Sequence, residues 1–241
     1  QATSVYGIAL GMAIPVLFIP SSLIGSIAVV IAPELSENFY KNKTEKLKND
    51  VEKTVKAGFF IAVVLIPFLF VLGKDIGIFI YSNEFSGEII QKCSFILLPM
   101  CVSMITTTIL NSMNCEIKTL LYFFIGAAAE LISILTLTSF IGIWSYMIGT
   151  SLNFIITALL NLFLLKKKCS GIKLFNYFLK CVLACLACCL FGALLRNLFS
   201  SINVLLTIIL CGIGVGVFSI ILFYVLGIFN FKPIKKLIAK N

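Results

Sequence analysis

Glu130 stands in the middle of an apolar run, Gly126-Ala127-Ala128-Ala129-Glu130-Leu131-Ile132. A carboxylate at the centre of a membrane helix costs about 2.5–3.5 kcal/mol on insertion scales, so it demands a partner or a wet cavity. Two roles fit. It can be an intramembrane coupling or cavity residue that handles a proton or cation, or a structural group hydrogen-bonded to a neighbouring helix. Cys181, Cys185, Cys188 and Cys189 form a second cluster, at i, i+4, i+7 and i+8 of one apolar segment. A metal site there needs several thiolates held in hydrocarbon, in a chain with nine cysteines and no histidine. Packing as small apolar side chains between helices is the simpler reading. We therefore expect no metal site, and no disulfides. Pro15, Pro20, Pro67 and Pro99 interrupt the first three apolar runs, with Pro33 at the end of the first. Each removes a backbone donor and bends a helix. Their clustering predicts kinked or broken helices along a substrate path, although membrane helices also tolerate proline when neighbours satisfy the freed carbonyls.

No other constellation carries chemistry. There is no Walker loop, no dinucleotide glycine pattern and no Gly-x-Ser-x-Gly. No catalytic residue, enzyme activity or cofactor is expected. Gly212, Gly214 and Gly216 alternate in the last run and suit close helix contact. Asn111, Asn114 and Asn153 can bond across helices and read as structural.

The elements that must position these residues are apolar runs at roughly 6–33, 55–80, 93–113, 119–139, 141–165, 176–195 and 202–229. A helix needs about 20 apolar residues to cross the hydrocarbon core. The chain is 60% hydrophobic and 12% charged, with mean hydropathy +1.11, too apolar for a soluble fold of its length. The runs are continuous, without the alternation of barrel strands. The expected fold is an all-α, polytopic membrane bundle of about seven transmembrane helices.

Lysine falls in alternate gaps between these runs. Of 19 basic residues only Lys74, Lys92 and Arg196 lie in the other gaps. Cytoplasmic loops retain Lys and Arg, so the lysine-rich side reads as inside, with the N-terminus of this chain outside and the C-terminus inside. An outside N-terminus with no export signal is expected of a fragment whose upstream helices are missing. The net charge of +9 is then a topology signal. Its dispersal over four segments speaks against nucleic acid as a partner, and the lipid bilayer is the partner it implies. Segment 36–54 places Leu47, Val51 and Val55 on one stripe, which predicts a cytoplasmic amphipathic helix on the membrane surface.

Several stretches resemble a known family. Tyr6-Gly7, Gly11-Met12-Ala13-Ile14-Pro15, Phe18-Ile19-Pro20-Ser21-Ser22 and Ala32-Pro33-Glu34-Leu35-Ser36-Glu37 resemble the eighth helix of the stage V sporulation protein B and polysaccharide biosynthesis family. That family lies in the multidrug/oligosaccharidyl-lipid/polysaccharide exporter superfamily. Thr107-Thr108-Ile109-Leu110-Asn111-Ser112 resembles the end of its tenth helix, where the family often has Gln-Gly in place of Asn111-Ser112. The resemblance implies the C-terminal lobe of a two-lobed, MATE-like transporter. Residues 1–165 would supply five helices of that lobe. Residues 166–241 would supply two additional helices and a basic cytoplasmic tail. It further implies a bacterial cytoplasmic membrane location, a missing N-terminal half as partner and a lipid-linked glycan as substrate. The activity implied is flipping by alternating access, in spore-envelope or cell-wall formation. Cation-coupled multidrug extrusion is the alternative within the superfamily, and a non-transporting membrane scaffold the alternative outside it. The first helix lacks the arginine of the lipid II flippase group, and no Lys or Arg lies deep in the runs.

Overall fold

The fold comes from a computed structural model, which describes residues 2–169, 174–199 and 203–227. Ser200, Ser201, Lys173 and the basic C-terminal tail lie outside the described residues. Among the described residues seven helices are long and apolar enough to cross a membrane. The protein is a polytopic helical bundle. In hydrocarbon every backbone N–H and C=O must be satisfied within the segment, and continuous apolar runs of this length do so only as helices.

The first helix runs unbroken from Ala2 to Tyr40. It comprises α1 (Ala2–Ile8), a π-helical turn (Ala9–Ala13) and α2 (Ile14–Tyr40). The π turn has a local cause. Pro15 offers no N–H, and its ring crowds the carbonyl of residue i−4, which is Gly11. Widening the turn that holds Gly11 absorbs both effects. Pro20 and Pro33 lie inside α2 and Pro67 lies inside α3 (Thr44–Tyr81), and all three leave the helix continuous. Pro99 falls in the first turn of α5 (Leu97–Asn111), where the missing donor costs least. A short 3-10 turn, Ser94–Ile96, precedes it and joins α4 (Glu84–Cys93) to α5. The expected breaks are therefore one widened turn and one 3-10 junction.

The surface helix expected over 36–54 takes another form. Helix α2 continues to Tyr40, residues 41–43 turn, and α3 starts at Thr44 and runs 38 residues without interruption. Asn42 has φ 53°, a left-handed geometry that asparagine tolerates, and it ends α2. The stripe Leu47, Val51 and Val55 is buried against neighbouring helices and does not face lipid. Asn38 donates to Asp50 Oδ2 at 2.8 Å inside this hairpin, Lys53 lies 3.3 Å from Asp50 Oδ1, and Ser36 donates to the Ser112 carbonyl at 3.0 Å. At the tip, the Lys41 ammonium 2.7 Å from Glu37 holds that carboxyl below the usual range.

Helix α3 is the hub. It packs on α2, α4, α5, α8 (Leu174–Leu198) and α9 (Val204–Val225). Its crossing with α4 is unusually close. A Cβ at Gly77 would lie 2.3 Å from Gly87 Cα, and one at Gly73 would lie 2.6 Å from the Gln91 nitrogen. Gly73 and Gly77 form a G-x-x-x-G pair, the spacing that lets membrane helices touch backbone to backbone. Ser82, at φ 51°, ends α3, and the Asn83 side chain caps α4 by accepting from Ser86 N at 2.9 Å. Arg196 fixes α8 to the same end of α3. Its Nε lies 2.9 Å from Asp75 Oδ2 and its Nη2 donates to Asp75 Oδ1 at 3.1 Å. Lys180 closes the other end of the α8–α9 pair by donating to the Leu226 carbonyl at 2.9 Å.

Between α5 and α8 in the chain come α6 (Glu116–Ile141) and α7 (Trp144–Lys168). Gly142, at φ 57° and ψ −128°, links them in a conformation open to glycine alone.

The Gly73–Gly77 crossing makes a direct prediction. Gly77→Ala drives a methyl into backbone and is expected to cost about 1–3 kcal/mol, as overpacking does. Gly25→Ala meets nothing within 4 Å and is expected to hold stability level or raise it. Thermal unfolding midpoints in detergent compare the two, and equal midpoints refute the close crossing.

Candidate functional site

Helix α7 presents two different faces, and the spacing of its residues creates both. Trp144, Met147, Ser151, Ile155, Ala158, Leu162 and Lys166 recur every three or four residues and share one face. All of them line a single cavity of about 1150 Å³. Thr150, Asn153, Thr157 and Asn161 recur with the same spacing on another face, and that face bonds to α6 and α5.

The cavity is a groove walled by α7, α5 and the first half of α3, with Phe178 of α8 at one end. From Trp144 to Lys166 the helix rises about 33 Å, close to the ~30 Å of a hydrocarbon core. The volume exceeds the ~300–1,000 Å³ usual for small-molecule pockets. Its walls are apolar, with Pro99, Val102 and Ile105 facing α7. Its rim is open, since Leu159 is 62% and Phe163 72% exposed. Where α3 meets α5 at the floor, Gly58 leaves the room that Ile105 fills; a Cβ there would lie 1.6 Å from Ile105 Cδ1.

A lysine stands at each end. Lys92 is ion-paired with Glu88, and its ammonium sits 5.0 Å over the Trp144 ring. Lys166, in the last turn of α7, lines the opposite mouth and has no acidic partner among the described residues. Lys56 stands 4.3 Å over the Tyr177 ring, next in sequence to the lining residues Val55 and Phe178.

Glu130, on α6, lies outside this groove and against the polar face of α7. Thr150 Oγ1 donates to its Oε1 at 2.8 Å and Asn153 Nδ2 donates to its Oε2 at 2.8 Å. Thr157 continues the chain by donating to Asn153 Oδ1 at 3.3 Å. The helices meet closely here because Gly126 of α6 sits against Asn153 and Thr157, and Gly149 of α7 against Glu130. Nearer the Gly142 turn the Thr138 and Ser145 hydroxyls are 2.8 Å apart, and Ser133 donates to the Ser145 carbonyl at 3.3 Å. Beyond Thr157, Asn161 is fully buried and donates to Thr107 Oγ1 at 2.8 Å, which ties α7 to α5. The arrangement fastens α6, most of whose length is exposed, to the rest of the bundle. Glu130 thus has hydrogen-bond partners for both of its carboxylate oxygens.

The remaining candidates are dispersed. Pro99 lines the groove, Pro20 and Pro67 are buried within their helices, and Pro15 is exposed beside the π turn. Cys181, Cys185, Cys188 and Cys189 are buried along α8, and among the described residues no three metal-ligating side chains converge. Asn111 accepts from Thr119 at 2.7 Å and Asn114 takes φ 56° in the turn before α6. Comparison with protein families, curated proteins and solved structures returned no match.

The polar fastening can be tested by its coupling energy. A double-mutant cycle of Glu130→Ala and Asn153→Ala, read from unfolding in micelles, is expected to give about 0.6–1.7 kcal/mol, the range for hydrogen bonds between membrane helices. Additive effects would show that the two side chains do not hold each other.

Proposed function

We propose that this chain is a lobe of a membrane transporter that moves a lipid-linked oligosaccharide or cell-wall precursor across the bacterial cytoplasmic membrane by alternating access. Spore-envelope formation is the setting that the family resemblance suggests. The observation that carries the reading is the groove along α7. It matches a hydrocarbon core in length, its walls are apolar and its rim opens sideways, as a long isoprenoid or acyl chain requires. Lys166, with no acidic partner among the described residues, suits an anionic headgroup at one mouth. The lysine-rich end is the cytoplasmic one on this reading. The chemistry asked of the protein is desolvation and binding, not covalent catalysis. A second reading, cation-coupled extrusion, draws on Glu130 and its hydrogen-bonded partners in α7.

Filling the groove tests the leading reading. Ala158→Phe in the intact protein puts a ring on the α7 face that lines it. Surface-exposed lipid-linked glycan, labelled from outside in cells that depend on this protein, is expected to fall about tenfold, as an overpacking cost of ~1–3 kcal/mol implies. An unchanged level removes the groove from the transport path. Transport that survives Glu130→Gln and Glu130→Ala equally removes the cation-coupled reading.

A further inference from the structure

The two mouths of the groove differ in charge, and the difference picks out one of them. At the Trp144 end the single lysine is already neutralised by Glu88 and covered by an indole ring. At the other end Lys166 lines the opening, and Lys56, next in sequence to the lining residue Val55, stands 4.3 Å over the ring of Tyr177, the neighbour of the lining residue Phe178; neither lysine has an acidic partner among the described residues. Lys167 and Lys168 follow Lys166 in the same turn but do not line the cavity, and two other cations on this side are engaged elsewhere. Lys53 faces Asp50, and Lys180 caps α9. Lys166 also sits in the last turn of α7, where the helix dipole favours a cation. An aromatic pair at the polar boundary, two unneutralised ammonium groups and an open apolar trough leading away from them match a phosphodiester with acyl chains.

We infer that the Lys56–Lys166 mouth is a headgroup seat for an anionic phospholipid of the lysine-side leaflet, whose chains lie in the groove. The site stands independently of transport, since a resident lipid can occupy the groove whether or not another amphiphile passes through it. The ligand is a bilayer phospholipid. A zwitterionic headgroup gains less from the pair because its own ammonium repels them.

The test is native mass spectrometry of the full chain taken from nanodiscs of equimolar phosphatidylglycerol and phosphatidylcholine. The wild type is expected to retain phosphatidylglycerol in preference. The double variant Lys56→Gln/Lys166→Gln is expected to lower that preference about thirtyfold, as the loss of two surface lysines near a lipid phosphate implies. Lys46→Gln/Lys48→Gln removes equal charge from the same side, away from the groove, and is expected to leave it unchanged. Ala158→Phe is expected to reduce retention of both lipids. Any of four results overturns the seat: equal retention of the two lipids by the wild type, an unchanged preference in Lys56→Gln/Lys166→Gln, an equal fall in Lys46→Gln/Lys48→Gln, or loss of phosphatidylglycerol to millimolar inorganic phosphate. Failure of transport leaves these readouts untouched, so the two proposals fall separately.

Discussion

A polar side chain in hydrocarbon has to find a partner on another helix, and that requirement organises the α6–α7 half of this bundle. Apolar surfaces give membrane helices no reason to prefer one another over lipid. Helix α6 illustrates the point, since its exposed surface is lined with leucines, isoleucines and phenylalanines. What fixes it in place is the column of hydroxyls, amides and one carboxylate shared with α7, from Ser145 through Glu130 to Thr157. The same column sets the rotation of α7 about its own axis. With Thr150, Asn153 and Asn161 turned to α6 and α5, the face carrying Ser151, Ile155 and Ala158 is left to line the groove. The site is thus a by-product of where the hydrogen bonds go.

Helix α3 solves the same problem by another route. It touches five neighbours, and it does so with small residues and with charge at its ends. Gly73 and Gly77 let α4 approach to backbone contact, and Asp75, between them in sequence, reaches Arg196 of α8. Contacts of dispersion type gain steeply as backbones close, which is why two missing methyl groups can hold a helical hairpin together.

The number and type of elements could be read directly from the sequence because hydropathy over a span-length window is a strong, local signal. Other features were less legible for identifiable reasons. Leu47, Val51 and Val55 give the same stripe whether a helix lies on a membrane or packs in a hairpin, and only the left-handed Asn42 decides between them. Proline content suggested broken helices, but Pro20, Pro33 and Pro67 sit in helices that close around them. Glu130 was recognisable as a residue in need of a partner, and its partners on α7 were not, because pairing across helices leaves no trace in one strand of text. Lys166 was counted only as a topological charge. The seven-residue repeat of α7 did carry both faces, and a helical wheel of residues 144–166 separates Thr150, Asn153 and Thr157 from Ser151, Ile155 and Ala158. Which of the two faces meets a void depends on α3 and α5, and no single segment encodes that.

The hairpin of α2 and α3 has a mechanical consequence. Both helices are longer than a hydrocarbon core is thick; α2, at 27 residues, extends about 40 Å and α3, at 38 residues, about 57 Å. Each is one rigid rod from within the apolar zone to the Lys41–Lys43 turn, and Asn38 and Asp50 cross-brace the pair outside it. A rod of that length pivoting by some ten degrees about its middle carries its tip about 5 Å sideways. The turn therefore acts as a pointer in the aqueous phase, and it magnifies tilts that are barely visible at the level of the groove.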